Sequence, residues 1–104
     1  MYTRLVYSRG DPMITRVVIT KGARKQLENV PTHVEEKLYG WVEAVGRNGL
    51  EEVRKVPGYH DEPLRGKRRD QRSIRLSRAY RAIYVLRRDG VEFISIEEVH
   101  KHKY

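Results

Sequence analysis

Cysteine is absent from this 104-residue sequence, which excludes a disulfide scaffold, a thiolate metal site and a cysteine nucleophile. No apolar run approaches the roughly 18 residues of a membrane-spanning helix, and no signal-peptide pattern opens the sequence. Acidic residues are scarce beside basic ones, 14 against 22, which leaves a formal net charge of +8. Hydrophobic residues make up 38%, enough for the core of one domain. The composition predicts a small, soluble, cytoplasmic, basic domain.

The positive charge is concentrated in residues 54–81, which carry ten basic and three acidic side chains. Clustered Lys and Arg favour a polyanion as partner, because each one that neutralises a phosphate releases a counterion. A membrane surface or an acidic protein partner is the alternative partner, and the membrane is the weaker of these because no amphipathic helix carries the charge. A solvated basic loop without a ligand is the alternative. Within this segment, Asp61 and Glu62 are expected to be an ordinary pair of loop charges. The alternatives are that they hold Arg65 locally or orient His60.

Hydropathy periodicity and turn residues predict one domain at residues 13–104, after a flexible extension at residues 1–12. In chain order the predicted elements are a strand at Thr15–Thr20, a helix at Lys21–Asn29, a long helix ended by Asn48-Gly49, a further helical turn at Leu50–Val56, an ordered basic loop at Tyr59–Gln71, and strands at Arg72–Ser77, Tyr80–Arg87 and Val91–Val99. Thr32 and Glu35 have the spacing of a capping box for the long helix. Its apolar stripe, predicted to lie in the core, comprises Val34, Leu38, Trp41, Val42 and Val45. This β-α-α-β-β-β order predicts an α+β fold, a small, mainly antiparallel twisted sheet with two N-terminal helices on one face.

Side chains alternate between the two faces of a strand, which sorts the polar residues of the C-terminal strands. If Ile74 points to the helices, Arg75 points away from them. Alternation does not by itself place Arg81 on the same face as Arg75, so a bulge or a strand end has to determine which face Arg81 takes. In the last strand, alternation puts Glu98 on the face of Ile96, and His100 and His102 share that parity, but strand twist and fraying leave their side open beyond Glu98. The antiparallel connections still predict that the basic loop, the arginine-rich hairpin and the histidine-rich tail lie on neighbouring strands.

The C-terminal tail concentrates candidate chemistry in His100, His102 and Tyr104. Imidazoles with an ordinary pKa of about 6.5 can exchange protons near neutral pH, and neighbouring guanidiniums can stabilise a phosphorane. A tyrosine ring can stack on an unpaired base. An ordinary polar terminus is the alternative. A metal site is not expected, because these histidines lie far in sequence from His33 and His60 and show no ligand spacing.

Three stretches, in this order and spacing, resemble the RelE/ParE superfamily of bacterial toxin–antitoxin toxins. They are Gly58–Lys67 (GYHDEPLRGK), Arg72–Leu76 (RSIRL) and Tyr80–Tyr84 (YRAIY), followed by the His/Tyr tail. Members commonly read Pro-Leu-Lys/Arg-Gly, a strand in which basic residues alternate with Ile or Leu, and Tyr-Arg-Leu/Ala-Ile/Val-Tyr/Phe. The resemblance covers residues 13–104 and implies the same fold.

The resemblance implies an endoribonuclease that cuts mRNA in the ribosomal A site by attack of the ribose 2′-hydroxyl, without a metal or other cofactor. Arg81 looks like the family arginine that stabilises the scissile phosphate. Arg75 stands where members place a base or a phosphate ligand. Ser73 departs from the members that carry a second lysine at that position, so the resemblance leaves no lysine base there.

The tail and the basic loop complete the implied site. His100 and His102 look like alternative matches to the catalytic histidine near the C-terminus of several members, and Tyr104 resembles their terminal aromatic residue. The further side chains expected on RNA are His60, Arg65, Lys67, Arg68, Arg69, Arg72, Lys101 and Lys103.

The implied partners are mRNA, the ribosome with its 16S ribosomal RNA, and a cognate antitoxin protein that neutralises the chain. Two alternatives remain open. One is a ParE-like protein that inhibits DNA gyrase by binding. The other is a basic module that binds RNA or the ribosome without catalysis. The His/Tyr tail favours the ribonuclease.

Overall fold

Five strands form one sheet in the computed structural model, which describes residues 13–89 and 91–101. In chain order the elements are β1 (Val17–Ile19), α1 (Lys21–Leu27), α2 (Thr32–Asn48), α3 (Leu50–Arg54), β2 (Glu62–Pro63), β3 (Gln71–Arg75), β4 (Tyr80–Asp89) and β5 (Val91–Lys101). The strand order is β1-β5-β4-β3-β2, with β1 parallel to β5 and the other pairs antiparallel. The predicted α+β fold is confirmed, with β2 added inside the predicted loop. The expected extension at residues 1–12 lies outside the described residues.

The core lies between the helices and one face of this sheet. The predicted stripe of α2 supplies four fully buried side chains, Val34, Leu38, Trp41 and Val45. Trp41 packs against Tyr84 of β4, with ring centroids 5.3 Å apart and the planes inclined by 43°. In the described part of the chain, no helix is long and apolar enough to cross a membrane.

The start of α2 differs from the prediction. The helix includes Thr32, its N-cap is Pro31, and no side chain caps it. The Pro31 carbonyl accepts the backbone N–H groups of Val34 at 2.9 Å and Glu35 at 3.3 Å. The predicted capping box is therefore wrong, because the helix begins one residue early and Thr32 is its first residue rather than its N-cap. Thr20, by contrast, caps α1 through its side-chain oxygen.

A β-bulge in β5 sets which side chains leave the core. The β4–β5 register shifts after Ile83, which leaves Glu97 as an additional residue on β5. Ile96 and Val99 are therefore both buried in the core although they are three positions apart, which in a regular strand would put them on opposite faces. His100 points to the opposite face. The placement of Glu98 on the face of Ile96 is therefore wrong, and the bulge decides the side of His100, which alternation left open.

Candidate nucleic-acid interface

Three basic side chains form a row across the sheet on the face opposite the helices, here called the open face. Arg75 of β3 pairs with Arg81 of β4, and Arg81 pairs with His100 of β5. Directly paired residues share a face and have Cβ atoms about 4.5–5.5 Å apart. The register therefore decides what alternation left open, because it places Arg81 between Arg75 and His100. We call these three residues the basic row.

Two neutral oxygens hold the Arg81 guanidinium. Nε donates to Ser73 Oγ at 3.0 Å, and Nη2 donates to the His60 carbonyl oxygen at 3.0 Å. Within residues 13–89 and 91–101, neither Arg81 nor Arg75 pairs with a carboxylate. Their positive charge is therefore available to an external anion, for which arginine offers strong, charge-assisted hydrogen bonds.

His100 is half-buried, and its Nδ1 lies 3.3 Å from the Lys101 carbonyl oxygen. On the same face, two residues earlier, Glu98 forms an ion pair with Arg68 of the basic loop. Arg68 also donates to Gln71 Oε1 through Nε at 2.9 Å and through Nη2 at 2.7 Å. These contacts fasten the basic loop to β5 next to the basic row.

The segment between α3 and β2 places His60 beside Arg81. Pro57–Tyr59 forms a 3-10 turn, and His60 follows it in the left-handed region with φ 46° and ψ 51°. A positive φ is uncommon for a residue other than glycine. The His60 N–H donates to the Pro57 carbonyl at 3.1 Å, while the His60 carbonyl accepts from Arg81. It is the backbone of His60, with its side chain exposed, that contacts the basic row.

Asp61 lies on the other side of the sheet, where its side chain is 0% exposed. Oδ1 accepts from Arg72 Nε at 2.6 Å, and Oδ2 accepts from the Tyr84 hydroxyl at 2.5 Å. The prediction of an ordinary pair of loop charges is wrong for Asp61, whose side chain is buried, whereas Glu62 is exposed. Alternation along β3 could have predicted this contact. It places Arg72 on the same face as Ile74, toward the core, where a charged side chain needs a buried partner.

The phenol and the guanidinium around Asp61 both keep their protons. Burial, and then the hydrogen bond and charge of Asp61, raise the pKa of Tyr84 well above its usual value. Arg54 of α3 acts on the pKa of Tyr84 in the opposite direction and is outweighed. Burial by itself lowers the pKa of Arg72, but Asp61 outweighs it and raises that pKa. Both groups therefore donate to Asp61 at neutral pH.

The remaining residues predicted to bind RNA divide by their contacts. Three of them are exposed and form no ion pair in the described part of the chain, namely Arg65, Lys67 and Arg69. Ion pairs hold Arg68 and Arg72. Lys101 is exposed at the end of β5, and the structure does not describe His102, Lys103 or Tyr104. Residues 13–89 and 91–101 contain no group of three or more His, Asp or Glu side chains that could hold a metal ion.

Solved structures of bacterial toxins share this fold. The YoeB/ParE toxin from Agrobacterium tumefaciens has a TM-score of 0.62 and 18% identity, covering 85% of this chain and 99% of its own. YafQ from E. coli has a TM-score of 0.64 and 16% identity, with 83% and 91% covered. A chain of the RelBE2 toxin–antitoxin complex from Mycobacterium tuberculosis has a TM-score of 0.60 and 20% identity, with 84% and 96% covered.

The likeness to these toxins lies in the fold, at identities of 16 to 20%. No protein-family model and no curated protein sequence matches the chain. The resemblance read from three short motifs is therefore confirmed at the level of the fold, a mostly antiparallel sheet with helices on one side.

Proposed function

We propose that this chain is the toxin of a toxin–antitoxin module and acts as a ribosome-dependent endoribonuclease on mRNA. The basic row carries the proposal, because two arginines without carboxylate partners in the described residues lie beside an imidazole on one open face. The shared fold of the YoeB/ParE, YafQ and RelBE2 toxins supports the toxin role. A ParE-like gyrase inhibitor is less favoured, since binding alone does not call for an imidazole beside two guanidiniums.

Arg81 and Arg75 are the proposed ligands of the scissile phosphate. A guanidinium offers a phosphate paired N–H donors and keeps its charge across the physiological pH range. Ser73 and the His60 carbonyl fix the Arg81 side chain before RNA binds. A donor fixed in this way stabilises charge that develops in the transition state with little reorganisation.

His100 or His102 is the proposed general acid or base. The base removes the proton of the ribose 2′-hydroxyl, and the freed oxygen attacks the neighbouring phosphorus. The bond from phosphorus to the 5′-oxygen breaks, and the acid protonates that leaving oxygen. The products carry a 2′,3′-cyclic phosphate and a 5′-hydroxyl. Side chains of the protein carry out both proton transfers. Tyr104 is proposed to stack on a base of the mRNA.

The exposed basic side chains near the row are proposed to follow the RNA backbone. They are Arg65, Lys67, Arg69 and Lys101 from the described residues. The ribosomal A site would present mRNA as a single strand, and phosphates of 16S ribosomal RNA would add contacts for the same charges. Most of this affinity is electrostatic, so salt should weaken it.

A cognate antitoxin is the proposed protein partner. The RelBE2 and DinJ–YafQ structures with this fold are toxin–antitoxin complexes. For a chain with a net charge of +8, an acidic and partly disordered antitoxin segment would compete with RNA for the same guanidiniums.

Induced expression in a bacterial host tests the proposal. The wild-type chain should stop translation and leave mRNA cut within codons. Arg81→Ala should slow cleavage about 100- to 1000-fold, because one preorganised donor to the transition state is lost. Arg47→Ala is the matched control, since Arg47 is an exposed arginine on α2 whose partner is Glu43. It should cut mRNA like the wild type.

Three results would contradict parts of this proposal. Induction of the SOS response with intact mRNA would favour gyrase inhibition. Normal growth with ribosome-bound protein would favour a module without catalysis. Unchanged cleavage by the His100→Ala/His102→Ala double variant would remove both histidines from the acid–base role.

A further inference from the structure

Asp61 has a position that the proposed chemistry does not use. Its carboxylate is completely buried on the helix side of the sheet, with one oxygen bonded to Arg72 and the other to Tyr84. Those two donors stand opposite each other on β3 and β4. A buried carboxylate with both oxygens bonded to neighbouring strands fixes the backbone at that residue.

The fixed backbone of Asp61 is joined through His60 to Arg81 of the basic row. The peptide group that joins His60 to Asp61 is planar, so the direction of the His60 carbonyl is tied to the backbone of Asp61. That carbonyl accepts Nη2 of Arg81 at 3.0 Å. The left-handed backbone of His60, with φ 46°, turns the chain between the two contacts. One rigid unit therefore spans from the buried carboxylate to the guanidinium on the open face.

We infer that Asp61 is a positioning residue, which holds Arg81 in its phosphate-binding orientation through the His60 carbonyl. The inference deepens the proposed function and rests on it for its catalytic consequence. Arg81 has several rotatable bonds, and a guanidinium misplaced by about 1 Å loses much of its effect on a transition state. Asp61 acts from the other side of the sheet and would not touch RNA.

The donors around Asp61 keep their hydrogen bonds to its carboxylate at neutral pH. Tyr84 is 1% exposed and keeps its proton, because burial and the Asp61 carboxylate raise its pKa. Tyr84→Phe removes one of the two anchoring donors and leaves the ring that packs on Trp41. Glu62 is the matched control, because it is the next carboxylate along the chain and its exposed side chain forms no hydrogen bond with the described residues.

Two readouts test the inference on the full chain. The first is cleavage of mRNA on programmed ribosomes, with kcat and KM measured separately. Asp61→Asn should lower kcat about 10- to 100-fold and change KM less than about threefold, because phosphate orientation is lost while most backbone contacts remain. Tyr84→Phe should have a smaller effect of the same kind, and Glu62→Gln should have none. In an Arg81→Ala background, Asp61→Asn should change kcat less than about twofold, as expected for residues that act as one unit.

The second readout needs no RNA. In nitrogen-15 NMR spectra at low temperature, the Arg81 Nη2–H signal, identified by its loss in Arg81→Ala, should exchange slowly with water because the His60 carbonyl accepts it. Asp61→Asn should speed that exchange about tenfold or more, whereas Glu62→Gln should leave it unchanged. If Asp61→Asn does not fold, Tyr84→Phe replaces it with the same expected direction.

The outcomes separate the inference from the proposed function. Unchanged Arg81 exchange in Asp61→Asn and Tyr84→Phe would overturn the positioning role, whatever the cleavage data show. A full additional loss of kcat in the Arg81→Ala background would also overturn it, because Asp61 would then act independently of Arg81. If the wild-type chain cleaves no RNA while the exchange responds as expected, the proposed function fails and the positioning contact stands.

Discussion

Replacing Tyr84 by Phe removes one hydroxyl from the middle of the protein and leaves the aromatic ring in place. Tyr84 is 1% exposed, and its hydroxyl donates to the fully buried carboxylate of Asp61 at 2.5 Å. A hydrogen bond to a charged group contributes about 1.5–3 kcal/mol to the free energy of unfolding. Asp61 keeps Arg72 in the variant, so we expect a loss of about 2 kcal/mol at pH 8, or a fall in Tm of about 10 °C.

The same substitution has a pH signature that identifies its cause. The folded protein holds the pKa of Tyr84 well above its usual value, whereas the unfolded phenol ionises near pH 10. This contribution to stability is therefore complete below pH 10 and falls as the pH rises, by about 1.4 kcal/mol per pH unit. The variant lacks the group. The difference in unfolding free energy between wild type and Tyr84→Phe should shrink from about 2 kcal/mol at pH 8 to below about 1 kcal/mol at pH 11.

Urea denaturation at the two pH values measures this difference. The chain has one tryptophan, Trp41, whose ring centroid lies 5.3 Å from that of Tyr84, so its fluorescence reports unfolding at the site. The other tyrosines are common to both proteins, and their titration cancels in the comparison. A difference in unfolding free energy that stays constant from pH 8 to pH 11 would refute the reasoning. A phenol that stays neutral in the folded protein and ionises near pH 10 in the unfolded protein must make this difference fall with rising pH.

Two further predictions concern backbone strain and electrostatics. Gly49→Ala should destabilise the protein by about 1–2 kcal/mol in urea denaturation, because Gly49 has φ +84° and an added Cβ would lie 3.2 Å from a side-chain atom. Gly40→Ala, in open space on α2, should stabilise by about 0.5–1 kcal/mol; equal effects would contradict the argument. The Arg65→Ala/Lys67→Ala variant should reduce the salt slope of single-stranded RNA binding by about 1.4, measured by fluorescence anisotropy. Lys25→Ala should leave the slope unchanged, and an equal reduction there would assign the effect to net charge alone.

The elements of the fold were predictable where local pattern decides them. The apolar stripe of α2 predicted its buried residues, because helical periodicity depends on a few neighbouring positions. The capping box was wrong by one residue, since Pro31 and Thr32 both suit a helix start and the choice lies in the backbone. The three C-terminal strands were predicted within a few residues of their observed bounds.

The site was predictable as a set of residues but not as an arrangement. Alternation left the side of Arg81 open, and it did not fix the side of His100. Both depend on register between strands, and the register of β5 includes a bulge that its own residues do not reveal. The burial of Asp61 was missed for a related reason. Its two partners, Arg72 and Tyr84, come from strands that only the tertiary fold brings together.

The place of β5 between β1 and β4 has a consequence for the order in which the protein is made. The contact of Thr20 with the Glu97 carbonyl spans 77 residues, and β1 pairs with no other strand of the described chain. Synthesis proceeds from the N-terminus, so β1 waits for most of the chain before its partner leaves the ribosome. Contacts this distant in sequence also slow folding, because a long loop must close first. Completion of the sheet, and with it assembly of the basic row, is therefore tied to the synthesis of β5.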